Sequence, residues 1–234
     1  MKITFNYFLV ALFLFAFSSC LNIDPVEPIT IIEPPTNLLV GSDTISTGSY
    51  WGLSIGKSAE STYTTVKTLK DSKGQGITFL NVVSSIFTDV TMLEERLPLY
   101  QSIFFDEAKG TDSGVQITFE DNKVKSIFLN NGNKLNRWPV SLSSSSAIVR
   151  GDMVGTVYGK LVSISRINAF KSKFERMSLF TKDVCKDYDP HMALSPQWYF
   201  STEIEQDKKM DVVQLNLKDG VLHSIIVNHY QTYL

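Results

Sequence analysis

Asp187, Asp189 and His191 alternate through Lys186-Asp187-Tyr188-Asp189-Pro190-His191, a spacing that could turn three potential ligands to one side of an extended segment. A cation site needs further ligands and a supporting shell of hydrogen bonds. Pro190 points instead to a solvated polar loop. Gly56-Lys57-Ser58 has the closing residues of a phosphate-binding loop, but the loop's first glycine would have to stand at position 51, which is Trp51. Gly52 is one residue too close for the backbone to wrap a phosphate, so a helix start is the better reading. Cys185 would need an activating histidine and an orienting partner to act as a nucleophile. His191 lies nearby in sequence, but no recognisable signature surrounds the two. His223 and His229 sit too far apart along a strand to share a metal. Glu94-Glu95 reads as a charged connection running into Arg96, and Glu203 and Glu205 read as outward positions of a strand rather than an acid–base pair. With no H-E-x-x-H or C-x-x-C in the chain, the sequence predicts no catalytic residue, no metal and no cofactor.

The aromatics are the stronger candidates. Trp51, Tyr100, Trp138, Trp198 and Tyr199 offer the large, rigid contact area favoured at protein interfaces and sugar-binding surfaces. They are read as a binding surface, with packing between two structural units as the competing role.

The elements that would position them are repeated. Val115–Asn130 (VQITFEDNKVKSIFLN) returns as Val213–Asn228 (VQLNLKDGVLHSIIVN) with six identities in sixteen positions. Composition alone would give about one, so the chain holds a duplicated unit. Each copy reads as a hairpin turning at Asp121-Asn122 or Asp219-Gly220. Strict alternation pairs Phe119 with Val124 and Val115 with Phe128. It puts Val115, Ile117, Phe119, Val124, Ser126 and Phe128 on one apolar face, and Gln116, Thr118, Glu120, Lys123 and Lys125 on a wet one. The second copy gives Val213, Leu215, Leu217, Leu222, Ser224 and Ile226 on the apolar face. Ahead of the first hairpin, Ser58 is a plausible helix cap for Ala59, Thr62, Tyr63, Val66 and Leu69 at helical spacing. The β-rich runs Ile77–Phe87 and Leu99–Phe105 follow. Ahead of the second, Met153, Val154, Val157, Tyr158, Leu161 and Ile164 repeat the helical spacing. The expected fold class is therefore α+β: two tandem homologous units, each a helix followed by a roughly four-stranded antiparallel sheet.

The N-terminus carries different information. Lys2, the ten-residue apolar run Phe8–Phe17 and the small residues Ser18-Ser19 before Cys20 have the layout of a signal peptide. Phe17-Ser18-Ser19-Cys20 resembles the lipobox of bacterial lipoproteins, with Phe17 in place of the usual Leu. The resemblance implies that Cys20 is lipidated and becomes the mature N-terminus, with enough acyl chain for stable membrane anchoring. Cys185 is then the remaining thiol, and an intramolecular disulfide is excluded. Residues 21–49 contain Pro25, Pro28, Pro34 and Pro35 and read as an extended tether, whose reach is at most on the order of 90 Å. The expected organisation is a signal peptide over 1–19, a lipidated tether over 20–49, units over 50–136 and 148–234, and a serine-rich linker over 137–147.

The order of elements across Trp51–Asn228, with a Gly-led helix start at Gly56-Lys57-Ser58, also resembles two families. These are the small lipoprotein of the outer-membrane β-barrel assembly machinery and the β-lactamase inhibitor protein, itself a tandem of such units. The resemblance implies a fold and a habit of binding other proteins, and it transfers no functional residue. A net charge of −2 gives no basic face for nucleic acid. Together these features predict a non-enzymatic lipoprotein that faces the periplasm from the outer membrane, or the cell exterior, and binds another envelope protein. A carbohydrate- or small-molecule-binding lipoprotein and an enzyme of unfamiliar type are the alternatives. Replacing Cys20 by Ala, or treating cells with globomycin, should block maturation and release the chain from the membrane fraction; unchanged fractionation would refute the anchor.

Overall fold

Alternating apolar and polar residues give this chain far more strand than helix. The computed structural model describes residues 36–72, 77–204 and 209–233. The signal-like run, Cys20 and most of the tether lie outside the described residues. The first elements are β1 (Thr36–Ile45), β2 (Ser49–Tyr50), β3 (Leu53–Ser54), α1 (Ala59–Ser72) and β4 (Phe79–Val83). There follow β5 (Tyr100–Asp106), β6 (Val115–Glu120), β7 (Lys123–Leu129), β8 (Lys134–Leu135), β9 (Arg137–Trp138) and β10 (Ile148–Val149). The chain closes with α2 (Val154–Ser165), β11 (Arg176–Asp183), β12 (Gln197–Ile204), β13 (Lys209–Lys218) and β14 (Val221–Tyr233).

Ten of these strands form one antiparallel sheet in the order β1-β14-β13-β12-β4-β11-β5-β6-β7-β8. This overturns the expected α+β pair of helix-plus-sheet units. The protein is mostly β, with two α-helices among the described residues. The repeats interleave: β4 leaves its own repeat to pair with β12, β11 pairs with β5, and the two meet along the middle of the sheet, where Phe180 faces Val83. Two separate sheets would each have left two strand edges unpaired, and the exchange removes one edge from each.

The helices are exchanged in the same way. At the start of α1, the Gly56 amide donates to the Leu222 carbonyl, Leu222 donates to Lys57, and Ala59 donates to Gly220. At the start of α2, Gly151 donates to Val124, Val124 donates to Asp152, and Val154 donates to Asn122. Each helix is thus fastened to the hairpin of the other repeat. Gly56 and Gly151 have φ of 86° and 87°, left-handed values that let both chains turn onto the hairpin tips. Ser58 caps α1 as the sequence indicates, its Oγ accepting from the Ser61 amide at 3.2 Å.

Both hairpins form where the duplication puts them. Their central residues, Asp121 (φ 51°) with Asn122 (φ 59°) and Asp219 (φ 53°) with Gly220 (φ 72°), are all left-handed, which matches the right-handed twist of the flanking strands. The register departs from strict alternation. Thr118 faces Ser126 while Phe119 faces Val124, so Lys125 is an extra residue; Asn216 faces Ser224 while Leu217 faces Leu222, so His223 is extra at the equivalent place. Val115 consequently pairs with Leu129 rather than Phe128. Beyond each bulge the faces swap. Ile127, Ile225 and Val227 enter the core, while Ser126, Phe128, Ser224 and Ile226 turn to the outer face.

One core cluster joins the inner face of the sheet to Tyr63 and Val66 of α1 and to Val157 and Leu161 of α2. Among the described residues the outer face has no such cover. Thr36–Ile45, expected as tether, is instead the edge strand β1 on β14. In the expected linker, Arg137-Trp138 pairs with Ile148-Val149, and Trp138 is buried against Phe105 and Phe174. Because each repeat lends its helix and first strand to the other, chains covering 21–136 and 137–234 should each fail to fold alone and should form one folded complex when refolded together. Circular dichroism and gel filtration would show this, and a folded monomeric half would contradict it.

Candidate functional site

The residues singled out from sequence scatter in the structure. Asp187 is exposed and Asp189 is buried, while His191 turns its Nδ1 to the Ser85 hydroxyl at 2.9 Å and its ring to Phe87. Among the described residues no group of three His, Cys, Asp or Glu side chains could hold a metal ion. Cys185 is exposed, with its amide donating to Asp183. Glu94 accepts from the Tyr158 hydroxyl at 3.4 Å, and Glu205 lies outside the described residues. His223 is the exposed bulge residue. His229 is held between Asp211 at 2.7 Å and Asp43 at 3.2 Å, and these hydrogen bonds raise its pKa.

Of the five aromatics read as a binding surface, Tyr100, Trp138 and Trp198 are buried and correct that reading. Trp198 fills the core and donates from its indole to the Met192 carbonyl at 3.1 Å. Trp51 stacks half-buried on Tyr50 at 4.6 Å, and Tyr199, also half-buried, donates its hydroxyl to Gln197 on the outer side of the sheet. Alternating patterns reveal that an aromatic is on a strand but not how thick the cover over it is.

Sequence reasoning missed a buried polar cluster. At Thr181 (φ 58°) the register of β11 with β4 shifts, and Lys182 beyond it is fully buried. Its Nζ donates to the Tyr63 hydroxyl at 3.1 Å and the Asp183 carbonyl at 3.0 Å. Burial pushes the amine down to about 8, against the pull of Asp183 and Asp189. The Tyr100 hydroxyl donates to Asp189 at 2.8 Å, and burial followed by that carboxylate raises the phenol's pKa. Asp189 also caps the short helix Pro190–Leu194 by accepting from the His191 amide, as exposed Asp89 caps Val90–Leu93 through Thr91. A deprotonatable lysine is chemically attractive, but this one has no surface for a substrate to reach. Its role is to satisfy buried polar groups at the sheet centre.

The outer face carries the arrangement suited to a ligand. The Asn216 carbonyl oxygen accepts from the Gln214 amide at 2.6 Å and the Gln197 amide at 3.3 Å, while its own NH₂ donates to Ser224 at 3.0 Å. The Tyr199 hydroxyl donates to Gln197 at 2.6 Å. This network lies across β12, β13 and β14 and contains no charge. Beside it, at the sheet centre, Phe79 and Val83 are 38% and 50% exposed, with Phe180 directly opposite Val83. A groove of about 510 Å³ continues the face past Phe79, Gln101 and Thr118 to Lys125 and Lys186. A larger groove of about 670 Å³ lies beyond α2, where Asp89, Lys171 and Glu175 mix opposite charges without a comparable network. The outer face can bind by hydrogen bonds and apolar contact. It holds no paired groups arranged to move a proton.

The buried lysine generates a pH signature. Its pKa is lower folded than unfolded, so between about 8 and its ordinary value near 10.5 the unfolded chain holds a proton that the folded chain does not. Stability should therefore rise from about pH 8 toward about pH 10, above which the raised tyrosines Tyr63 and Tyr100 act in the opposite sense. Urea midpoints measured across this range should climb for the natural chain and stay flat for Lys182→Met. No family model matches the chain, and no curated protein or solved structure shows significant similarity to it.

Proposed function

We propose that the chain is a non-enzymatic, lipid-anchored protein of the bacterial outer membrane that faces the periplasm and binds another envelope protein through the outer face of its sheet. The observation that supports this reading is the uncovered apolar centre of that face, Phe79 and Val83 beside Phe180 and Tyr199. An antiparallel sheet ordinarily carries polar residues on its solvated face, so apolar side chains exposed at the centre of that face stand out. Here the two helices occupy one side only, and a partner seated on the other would remove this apolar surface from water. The signal-like N-terminus and Cys20 supply the anchoring half of the reading.

A second reading rests on the amide network. Gln197, Gln214, Asn216 and Ser224 beside the Tyr199 ring present neutral donors and acceptors next to an aromatic plane, a chemistry that suits an uncharged glycan. The two readings separate on the apolar centre. Phe79→Lys combined with Val83→Lys should keep the chain folded with a melting temperature within about 5 °C of the natural chain, because both side chains are partly exposed and a lysine at 79 would face Asp183. The same change should abolish recovery of the protein partner from envelope extract on the immobilised full chain. Partner recovery that survives this change would contradict the protein-binding reading, and loss of polysaccharide retention only on Asn216→Ala with Gln214→Ala would favour the glycan.

A further inference from the structure

The two ends of the sheet are built differently. At one end β8 is two residues long, Lys134–Leu135, a short edge ending in a charged residue. Such an edge offers too few backbone groups to template another chain. At the other end β1 is ten residues long and, among the described residues, is paired on one side only, by β14. Leu38, Leu39 and Val40 on it are 52%, 56% and 60% exposed. Asp43, the strand's one charged residue, is exposed, accepts from His229 at 3.2 Å and lies in the second half of the strand. A long edge whose first half is uncharged and carries three exposed apolar residues is the form that soluble proteins normally avoid leaving open.

The register shift between Leu39 and Gly41 makes Val40 an extra residue and bends the strand there. The straight, unpaired part is therefore Thr36–Val40, where the apolar residues lie. We propose that this edge pairs with the same edge of a second copy, antiparallel about a two-fold axis at Leu38. In that register Leu38 meets Leu38, Asn37 meets Leu39 and Thr36 meets Val40, while Asp43 falls outside the pairing and no like charges oppose each other. The short opposite edge prevents head-to-tail growth, so the association closes at two copies.

The anchor geometry favours a second copy over an unrelated strand. With the axis at Leu38, the two Thr36 residues lie four positions apart along the seam, about 14 Å at strand rise. The sixteen positions from Cys20 to Thr36 reach on the order of 50 Å, so both chains can be anchored in one membrane while paired. Confinement to that membrane raises their effective concentration. This last argument rests on the anchoring reading; the pairing itself does not.

Directly opposed residues in an antiparallel pair lie about 4.5–5.5 Å apart, within the span of a disulfide. The test is Leu38→Cys in the full chain with Cys185→Ser, oxidised both in membranes and after purification in detergent. It should give a disulfide-linked dimer in both settings, whereas Thr44→Cys on the same strand should not, because its copies lie far apart. Leu38→Lys in the otherwise natural chain should leave the circular dichroism spectrum of the folded chain unchanged and convert a sedimenting dimer to monomer. A monomer for the natural chain in both settings, equal cross-linking from Thr44→Cys, or a dimer that survives Leu38→Lys would each overturn the proposal. A dimer in detergent from a chain that Cys20→Ala releases from membranes would uphold the pairing, and unchanged membrane fractionation of that variant would remove the anchor reading alone.

Discussion

Three backbone hydrogen bonds, made twice, hold this molecule in its arrangement. Gly56, Leu222 and Ala59 make one set, and Gly151, Val124 and Val154 make the other. Each set fastens the start of a helix to the tip of the hairpin from the opposite repeat. Net contributions of about 0.5–1.5 kcal/mol per bond are modest. Their effect is topological, because they place each helix over strands it does not precede in its own repeat. β4 and β11 cross over as well, and the sheet becomes continuous through its centre. The buried Lys182 lies on that central seam, where β11 meets β4.

Much of the hairpin was legible in the sequence. Asp121-Asn122 and Asp219-Gly220 favour the left-handed turn that both copies adopt. The bulge was legible too, but only in hindsight: a serine sits in the middle of an otherwise apolar set in both copies, at Ser126 and Ser224. That anomaly marks where the faces swap, since each serine turns outward opposite Thr118 or Asn216. The exchange of strands left no such mark. Alternation tells which face of β4 is buried and says nothing about which strand lies beside it, and two self-contained units would show the same pattern. Lys182 was hidden for a related reason, because a left-handed Thr181 changes the parity of β11 without any glycine to announce it. The prolines before Thr36–Ile45 and its own Asn37, Gly41, Ser42 and Asp43 give a tether-like composition, and only Leu38-Leu39-Val40 and Thr44-Ile45 carry strand character.

The pseudo-symmetry also clarifies the candidate site. Gln214, Asn216 and Ser224 correspond to Gln116, Thr118 and Ser126, and Tyr199 corresponds to Phe104 by its place opposite Gln214. The shared glutamine and serine are scaffold of the outer face. Asn216 and Tyr199 are what turn the second repeat's half into a hydrogen-bonded network, while Phe104 carries the Arg176 guanidinium over its ring on the other half. One half of the face is thus polar and uncharged and the other more apolar with both signs of charge at its rim, so a ligand would meet an oriented surface despite the repeated backbone.

Native-state hydrogen exchange tests the interlocked sheet most directly. The Val124 and Leu222 amides report the two helix-to-hairpin contacts, and the Ser84 amide, bonded to Leu179 at 2.9 Å, reports the central seam. If the repeats form one interleaved structure, all three open with the same free energy, equal to that of global unfolding. Separate values for Val124 and Leu222, with Ser84 exchanging ahead of both, would mean that the repeats open as independent units and would contradict the account.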